Sequence, residues 1–456
     1  MRSQTDSLID ESIAPDTTSL QRLTEISELK DVTKVVGLND LHQGKQETPT
    51  SIVTATDGAI YPELSSNVIN CGMSLIKTGL SQEDITQEFV SQFCNELSQQ
   101  SKEYKPKRED VVQMLRQGAE YVPERWGCDT TVLDNIENRG SMFETADRPT
   151  KVTDIVPFWL LRYSGTYENT PIPSLAGNHF IEFQVVDEII DEETATEWDL
   201  SEGQVVVFLH GDYTLTSMIN WHHSNRLKFR ERVPFLDRTK LQLSKATFHL
   251  IRGGVRNFRN NWQLYDSKNR YTRFDASSAE GKHLSKAIYA AMNFGYANRL
   301  LAALCIEDSL SKASSATGKV ELLWDVGHDT IQEETIDGSE YWVHRKGAAK
   351  AVPGKPALVS GSYNMNSFLG KSEPTADAFV YSYDHGCSNV IEHFASEEGL
   401  RSVSRSTMRF DLKEGAMTGE SQHVEPLPIE TLVQNLTEND IVSEVAWLQP
   451  IANIGE

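Results

Sequence analysis

Gln204-Val205-Val206-Val207-Phe208-Leu209-His210 holds five consecutive apolar residues and closes on an imidazole. A run of this length reads as a buried strand. It is far short of the ~18 apolar residues that span a bilayer, and β-branched and aromatic side chains favour a pleated backbone. Upstream, Phe180 to Val186 alternates like a second strand. Downstream, about His283 to Cys305 is the clearest helix, with Ile288, Ala291, Met292 and Tyr296 on one face. Ser81 to Lys107 reads as another helix, because Ile85, Phe89 and Phe93 recur every four residues. Val320 to Val326 is a strand that closes on His328. Short strands are expected at Ala357 to Val359 and Ala378 to Tyr383, and the tail Val442 to Ile454 reads as strand with turns. Helices and strands do not alternate regularly, so the fold class is α+β rather than a doubly wound sheet. Residues 1–30 are polar and acidic and are expected to form a flexible leader, with one large domain over 31–456.

The composition excludes several classes. Hydrophobic residues make up 39% of the 456, enough for a sizeable core, and the body carries no disorder signature. The leader lacks the apolar run of a signal peptide. Cys71, Cys94, Cys128, Cys305 and Cys387 are odd in number and widely spaced, which favours reduced thiols in a cytoplasm over a disulfide framework. A net charge of −23 argues against a generic nucleic-acid coat. The charge is uneven, however. Arg226 to Arg273 carries thirteen Lys/Arg against Glu231, Asp237 and Asp266, with Phe229, Phe235, Phe248, Phe258, Trp262, Tyr265 and Tyr271 interleaved. Cations alternating with rings suit single-stranded nucleic acid, and a solvated basic face is the plain alternative for this segment of about 222–275.

Several strands end in a soft or imidazole donor. Cys71 lies in Ile69-Asn70-Cys71-Gly72-Met73, His179 in Gly177-Asn178-His179-Phe180, and His210, His328 and His385 end VVVFLH, LLWDVGH and FVYSYDH. One thiolate with several imidazoles suits a borderline divalent metal such as Zn, Co or Mn. Each histidine alone also reads as a core residue donating to a carbonyl, and spacing does not show that the five converge.

The order of these segments resembles the RtcB family of RNA-splicing ligases from Leu38 to the C-terminus. Asn39-Asp40-Leu41-His42-Gln43-Gly44 resembles the family's early Asp-x-His-x-Gly segment, and Ile69 to Met73 its metal-cysteine loop. Gly177 to Glu182 is the most specific piece. Ala291-Met292-Asn293 and Ala297-Asn298-Arg299 resemble a family helix, and Asp325-Val326-Gly327-His328 a third histidine site. His344-Arg345-Lys346-Gly347-Ala348, Ser360-Gly361-Ser362, Ser367, His385-Gly386 and Leu448 to Ala452 follow at family-like spacing.

The resemblance implies a domain of packed, mostly antiparallel sheets flanked by helices. It implies metal ligands at Cys71, His179, His210 and His328, and a guanylate-accepting histidine at His385. The implied nucleotide contacts are Asn178, His179, Phe180, Ile181 and Glu182, then His328 and Asp329, then Ser360, Gly361, Ser362, Tyr363 and Ser367, and finally His385, Gly386, Cys387 and Ser388. Asp40, His42 and Lys346 are further implied site residues. The implied activity joins an RNA 3′-phosphate or 2′,3′-cyclic phosphate to a 5′-hydroxyl with GTP and Mn²⁺, in tRNA splicing or RNA repair, with RNA as the partner. The chain departs from the family pattern where it has Val68 for an aspartate, Asp329 for an asparagine, and Gly211 to Leu215 and Cys387 to Asn389 for arginine-bearing segments. Two other readings therefore stay open: a one-metal phosphoesterase on the same scaffold, and a non-catalytic RNA-binding relative.

Overall fold

A computed structural model describes residues 4–9, 15–44, 46–157, 160–161, 179–211, 214–224, 235–265, 270–361, 365–387, 409–412 and 428–455. The VVVFL run is the strand β7 (Gln204–Gly211), seated between β6 (Phe180–Ile189) and β5 (Gly72–Ser81). Val205, Val207 and Leu209 enter one core, while Val206 and Phe208 enter another on the opposite face. A strand covered on both faces needs apolar residues at every position, so its period of two is hidden in the sequence.

The sheet continues through β9 (Glu321–Gly327) beside β5. On the other side it continues through β17 (Val442–Gly455), β14 (Ser367–Ser372) and β13 (Pro356–Val359), and β16 (Arg409–Leu412) pairs with β17. Each of these pairings is antiparallel. A second sheet runs β1 (Gln4–Ser7), β2 (Val32–His42), β3 (Thr50–Thr56), β11 (Ser339–Lys346) and β10 (Ile331–Ile336), with β1 and β2 parallel. Two short pairs join β4 (Ala59–Ile60) to β8 (Phe274–Asp275) and β12 (Ala348–Lys350) to β15 (Ser382–Asp384). The fold is α+β, as expected.

The central helix runs Ala279–Ala313, longer than the expected His283 to Cys305. Ser278 caps it by accepting from the Gly281 N–H. Ala290, Ala291, Met292, Phe294, Tyr296, Ala297, Leu300 and Leu301 bury it on all sides rather than along one stripe. The helix Gln87–Glu103 packs against it, and Phe89 and Phe93 meet the Phe183 ring edge-on at 5.9 and 5.2 Å.

Two local expectations differ from the structure. Within the stretch expected to be a leader, Thr17–Ser27 is a helix capped by Asp16. Leu23 and Ile26, three residues apart, bury its inner face. The strand expected over Ala378 to Tyr383 is split. Ala376–Phe379 forms a 3₁₀ turn closed by Val380 at φ 56°, and only Ser382–Asp384 is extended. The basic segment contains a helix, Phe235–Asn260, with residues 225–234 and 266–269 outside the described set.

His344 on β11 illustrates how burial fixes a charge state. Its Nδ1–H donates to the Thr54 carbonyl (3.2 Å), and its Nε2 accepts from the Tyr61 N–H (3.0 Å). Such a ring must be neutral, and burial pushes its pKa down to about 4. The folded value lies below the unfolded one, so this stabilisation is present above about pH 6.5 and is lost as pH falls toward 4. Urea unfolding of wild type should lose on the order of 3 kcal/mol more between pH 7 and pH 4 than His344→Gln does. Parallel pH profiles would refute this assignment.

Candidate metal centre

Register brings the donor residues together. β5 is antiparallel to β7 and β9, with Gly72 opposite Gly211 and Gly327, and Met73 opposite His210 and Val326. β6 is antiparallel to β7, with Phe180 opposite His210. The start of β5, the end of β7, the end of β9 and the start of β6 therefore lie along one edge of the sheet. Cys71 immediately precedes β5, His210 is near the end of β7, His328 follows β9 and His179 precedes β6.

Ligand atoms of Cys71, His210 and His328 all lie within 4.8 Å of one another, and all three residues are buried. Among the described residues they form the group that can hold a metal ion. Cys71 Sγ is 3.2 Å from His210 Nε2 and 3.7 Å from His179 Nε2. His179 thus reaches the sulfur but stands outside the group of three. The His210 ring lies 5.1 Å from both the His179 and the His328 ring.

The donor set fits a divalent ion. Burial, with His385 and His210 nearby, holds His328 well below the usual imidazole range, so it presents a neutral lone pair. His328 Nδ1 is buried and has no hydrogen-bond partner among the described residues. An orphaned buried nitrogen costs about 1–3 kcal/mol, which coordination by Nδ1 would remove. Three protein donors leave coordination positions open for a substrate, the pattern of catalytic rather than structural metal sites.

His385 joins this edge from another sheet. It follows β15, whose Asp384 pairs with Ala348 of β12, and the Ala348 N–H donates to the His328 carbonyl (3.0 Å). The His385 ring sits 4.3 Å from the His328 ring. Its Nδ1 lies 2.8 Å from the Gly347 carbonyl, which can only accept, so Nδ1 carries the proton and Nε2 keeps its lone pair. Burial lowers the His385 pKa, and the nearby Asp40 charge opposes part of that shift. Gly347 has φ +64°, and a Cβ there would meet Thr50 Cγ2 at 2.4 Å and His385 Cε1 at 3.5 Å. Only glycine permits this approach.

Asp384 accepts from the Asn39 and Asp40 N–H groups (both 3.2 Å) and from Asn39 Nδ2 (3.3 Å), tying β2 to the His385 loop. Burial and the Asp40 carboxylate push its pKa up to about 7. His42 lies 2.7 Å from the Asp40 carbonyl, so Asp40 and His42 reach the same end of the fold as His385.

The expected nucleotide residues divide. Ser360, Gly386 and Cys387 meet His385 through the backbone: the Ser360 N–H donates to the His385 carbonyl (3.0 Å) and the Cys387 N–H to the Ser360 carbonyl (3.1 Å). The Gly361 N–H donates to Ser367 Oγ (3.1 Å). Gln184 Nε2 donates to both Ser367 Oγ (2.9 Å) and Glu182 Oε2 (2.5 Å), and Asn453 Nδ2 donates to Glu182 Oε1 (3.0 Å). Phe180 packs on the His210 ring at 5.5 Å. Ile181 instead faces the apolar core, where its side chain has no surface for a ligand. The Cys387 side chain also turns into the core, and burial pushes its thiol up. Lys346 is buried and donates to the Thr48 carbonyl. Asp329 Oδ1 accepts from the Gly347 N–H (3.0 Å) and braces the loop under His385. Asn178, Ser362, Tyr363 and Ser388 lie outside the described residues.

Residue-by-residue reading missed Gln184, Asp384 and the Arg299–Asp325 pair. Asp384 adjoins a quoted histidine, which was the available signal. It also missed a second imidazole group in which His222, His223 and His283 pack around the Phe248 ring. Burial holds His222 well below its usual pKa. No helix among the described residues is long and apolar enough to cross a membrane.

The chain is 27% identical over 372 residues to a tRNA-splicing ligase RtcB of Methanococcus maripaludis, covering 73% of this chain and 68% of that one. It is 27% identical over 424 residues to the RtcB of Thermococcus kodakarensis, covering 84% and 78%. To the RtcB of Pyrococcus furiosus it is 29% identical over 371 residues, 73% of this chain but 34% of that longer one. The family model described as tRNA-splicing ligase RtcB matches residues 22–456, so this chain, with its Cys/His edge and adjoining His385, belongs to the RtcB family.

Proposed function

We propose that the protein is a GTP- and Mn²⁺-dependent RNA ligase. It joins RNA 3′-phosphate or 2′,3′-cyclic phosphate ends to 5′-hydroxyl ends through a guanylylated His385. The observation that carries this reading is the His385 ring 4.3 Å from His328, with Nδ1 tied to Gly347. That tautomer aims the Nε2 lone pair outward as the nucleophile.

Nε2 attacks the α-phosphorus of GTP, an N–P bond forms, and the bond to pyrophosphate breaks. The Gly347 carbonyl supports the positive charge that grows on the ring. Where the RNA end is a 2′,3′-cyclic phosphate, water first adds to its phosphorus and the P–O2′ bond breaks, leaving a 3′-phosphate and a 2′-hydroxyl. An oxygen of the RNA 3′-phosphate then takes the guanylate from Nε2. The 5′-hydroxyl attacks the activated phosphorus, GMP leaves, and the hydroxyl proton passes to solvent. A divalent ion on Cys71, His210 and His328, with His179 at the sulfur, would neutralise charge on the phosphate oxygens. Glu182, Ser360, Gly361, Ser367 and the His385–Cys387 backbone are the proposed nucleotide contacts. The helix Phe235–Asn260 exposes Arg256, Arg259 and the adjoining Trp262, which suits an RNA track.

The test mixes the full-length chain with Mn²⁺, GTP and two RNAs, one ending in a 3′-phosphate and one beginning with a 5′-hydroxyl. A joined product that requires both GTP and Mn²⁺ is expected. Phosphate release without joining, or RNA binding without turnover, would replace this reading with one of the alternatives on the same scaffold.

A further inference from the structure

Arg299 and Asp325 are each 1% exposed, a charged pair at the base of the turn that carries Cys71. Their contact is bidentate: Nε to Oδ2 at 2.7 Å and Nη2 to Oδ1 at 2.8 Å. Ser74 Oγ, opposite Asp325 in the β5–β9 ladder, donates to Asp325 Oδ2 at 2.5 Å. The third guanidinium edge donates from Nη1 to the Asn70 carbonyl, the residue before the sulfur.

Asn70 is held through its backbone and its side-chain amide nitrogen. Its φ is +61°, its Nδ2 donates to the Met292 carbonyl of the central helix (2.6 Å), and its N–H donates to the Asp329 carbonyl (2.7 Å). Gly72 is required behind it, because a Cβ there would fall 2.5 Å from both Arg299 Cζ and the Val326 carbonyl. The His328 N–H donates to the Cys71 carbonyl (2.9 Å). Asp325 lies three residues before His328 on the strand that delivers it. One guanidinium–carboxylate pair therefore links the turn bearing the sulfur to the strand bearing an imidazole. The Arg299 cation also interacts electrostatically with Cys71.

We propose that Arg299 and Asp325 are positioning residues of the metal centre, which lock the Asn70–Cys71 turn so that the sulfur faces His210 and His328. A buried pair of this kind is weak evidence of stabilisation, since its desolvation offsets its attraction. It is well suited to fixing ligand geometry, where outer contacts are worth about 10- to 100-fold in metal affinity. This role rests on reading Cys71, His210 and His328 as ligands; it does not need the ligation reaction.

The experiment strips the full-length chain with a chelator and titrates Co²⁺, following the thiolate-to-metal and d–d absorption bands, with bound metal counted by mass spectrometry. Arg299→Lys keeps the charge but loses the fork, and Asp325→Asn loses the carboxylate. Each should weaken Co²⁺ about 10- to 100-fold and alter the thiolate band while far-UV circular dichroism stays native. If a single variant fails to fold, Arg299→Met with Asp325→Leu removes both charges together. Ser74→Ala removes only one bond to Asp325 and should shift affinity in the same direction by less. Wild-type affinity and an unchanged thiolate band in folded variants, with only Tm altered, would overturn the proposal. No RNA or nucleotide is present, so a wild type that binds Co²⁺ normally yet joins no RNA overturns the ligase reading alone.

Discussion

Cys71→Ser should abolish binding of the divalent ion. The sulfur lies against two imidazoles, 3.2 Å from His210 Nε2 and 3.7 Å from His179 Nε2. A serine hydroxyl is shorter, harder and protonated at neutral pH, so it supplies neither the reach nor the charge of a thiolate. Loss of an outer contact weakens metal sites about 10- to 100-fold, so loss of a direct donor should exceed about 100-fold. His210→Ala should act alike, because His210 belongs to the same group of three. Cys305→Ser is the control: Cys305 is buried in the central helix, and its thiol is pushed up to about 12 by burial. It should bind metal as wild type does. Metal content measured after dialysis against Mn²⁺ decides this, and a Cys71→Ser protein that retains a full complement would exclude Cys71 as a ligand.

His385→Ala should lose nucleotide transfer entirely while keeping the metal. Among the described residues the other nearby imidazoles are engaged elsewhere: His328 and His210 belong to the group proposed to hold the metal, His179 faces the Cys71 sulfur, and His42 is turned to the Asp40 carbonyl. Removing a nucleophile typically costs on the order of 10⁴-fold or more in rate. Incubation with α-labelled GTP and Mn²⁺ should leave acid-labile label on wild type and none on His385→Ala. The variant should still bind Mn²⁺ with nearly wild-type affinity. Equal labelling of both proteins would move the nucleophile elsewhere.

Much of the fold was readable because burial leaves a direct mark on composition. The VVVFL run had to be a covered strand, and Phe89 and Phe93 had to face a core. The ligand residues were visible one by one as strand-end imidazoles and a lone thiol. Their convergence was not, because it depends on register between strands more than 100 residues apart, such as Met73 with His210 and Gly72 with Gly327. Only the ordered resemblance to a family supplied that step. What the structure adds to the reading has physical causes as well. Thr17–Ser27 looked like leader because its mean hydropathy is low, yet Leu23 and Ile26 suffice to dock it. Ile181 and Lys346 sit inside the quoted motifs; alternation along β6 turns the Ile181 side chain into the core, and Lys346 donates to the Thr48 carbonyl. Asp384 and Arg299 fall within quoted segments, but their roles were unreadable because they lie in contacts to the distant backbone at Asn39, Asp40 and Asn70.

Crystals of the full-length chain soaked in Mn²⁺ and measured at the manganese absorption edge would locate the ion itself. The expected anomalous peak lies at bonding distance from Cys71 Sγ and from ring nitrogens of His210 and His328, beside the His385 ring. A site left dark at saturating Mn²⁺, or a peak confined to other imidazoles such as those around Phe248, would contradict the arrangement on which the proposed chemistry depends.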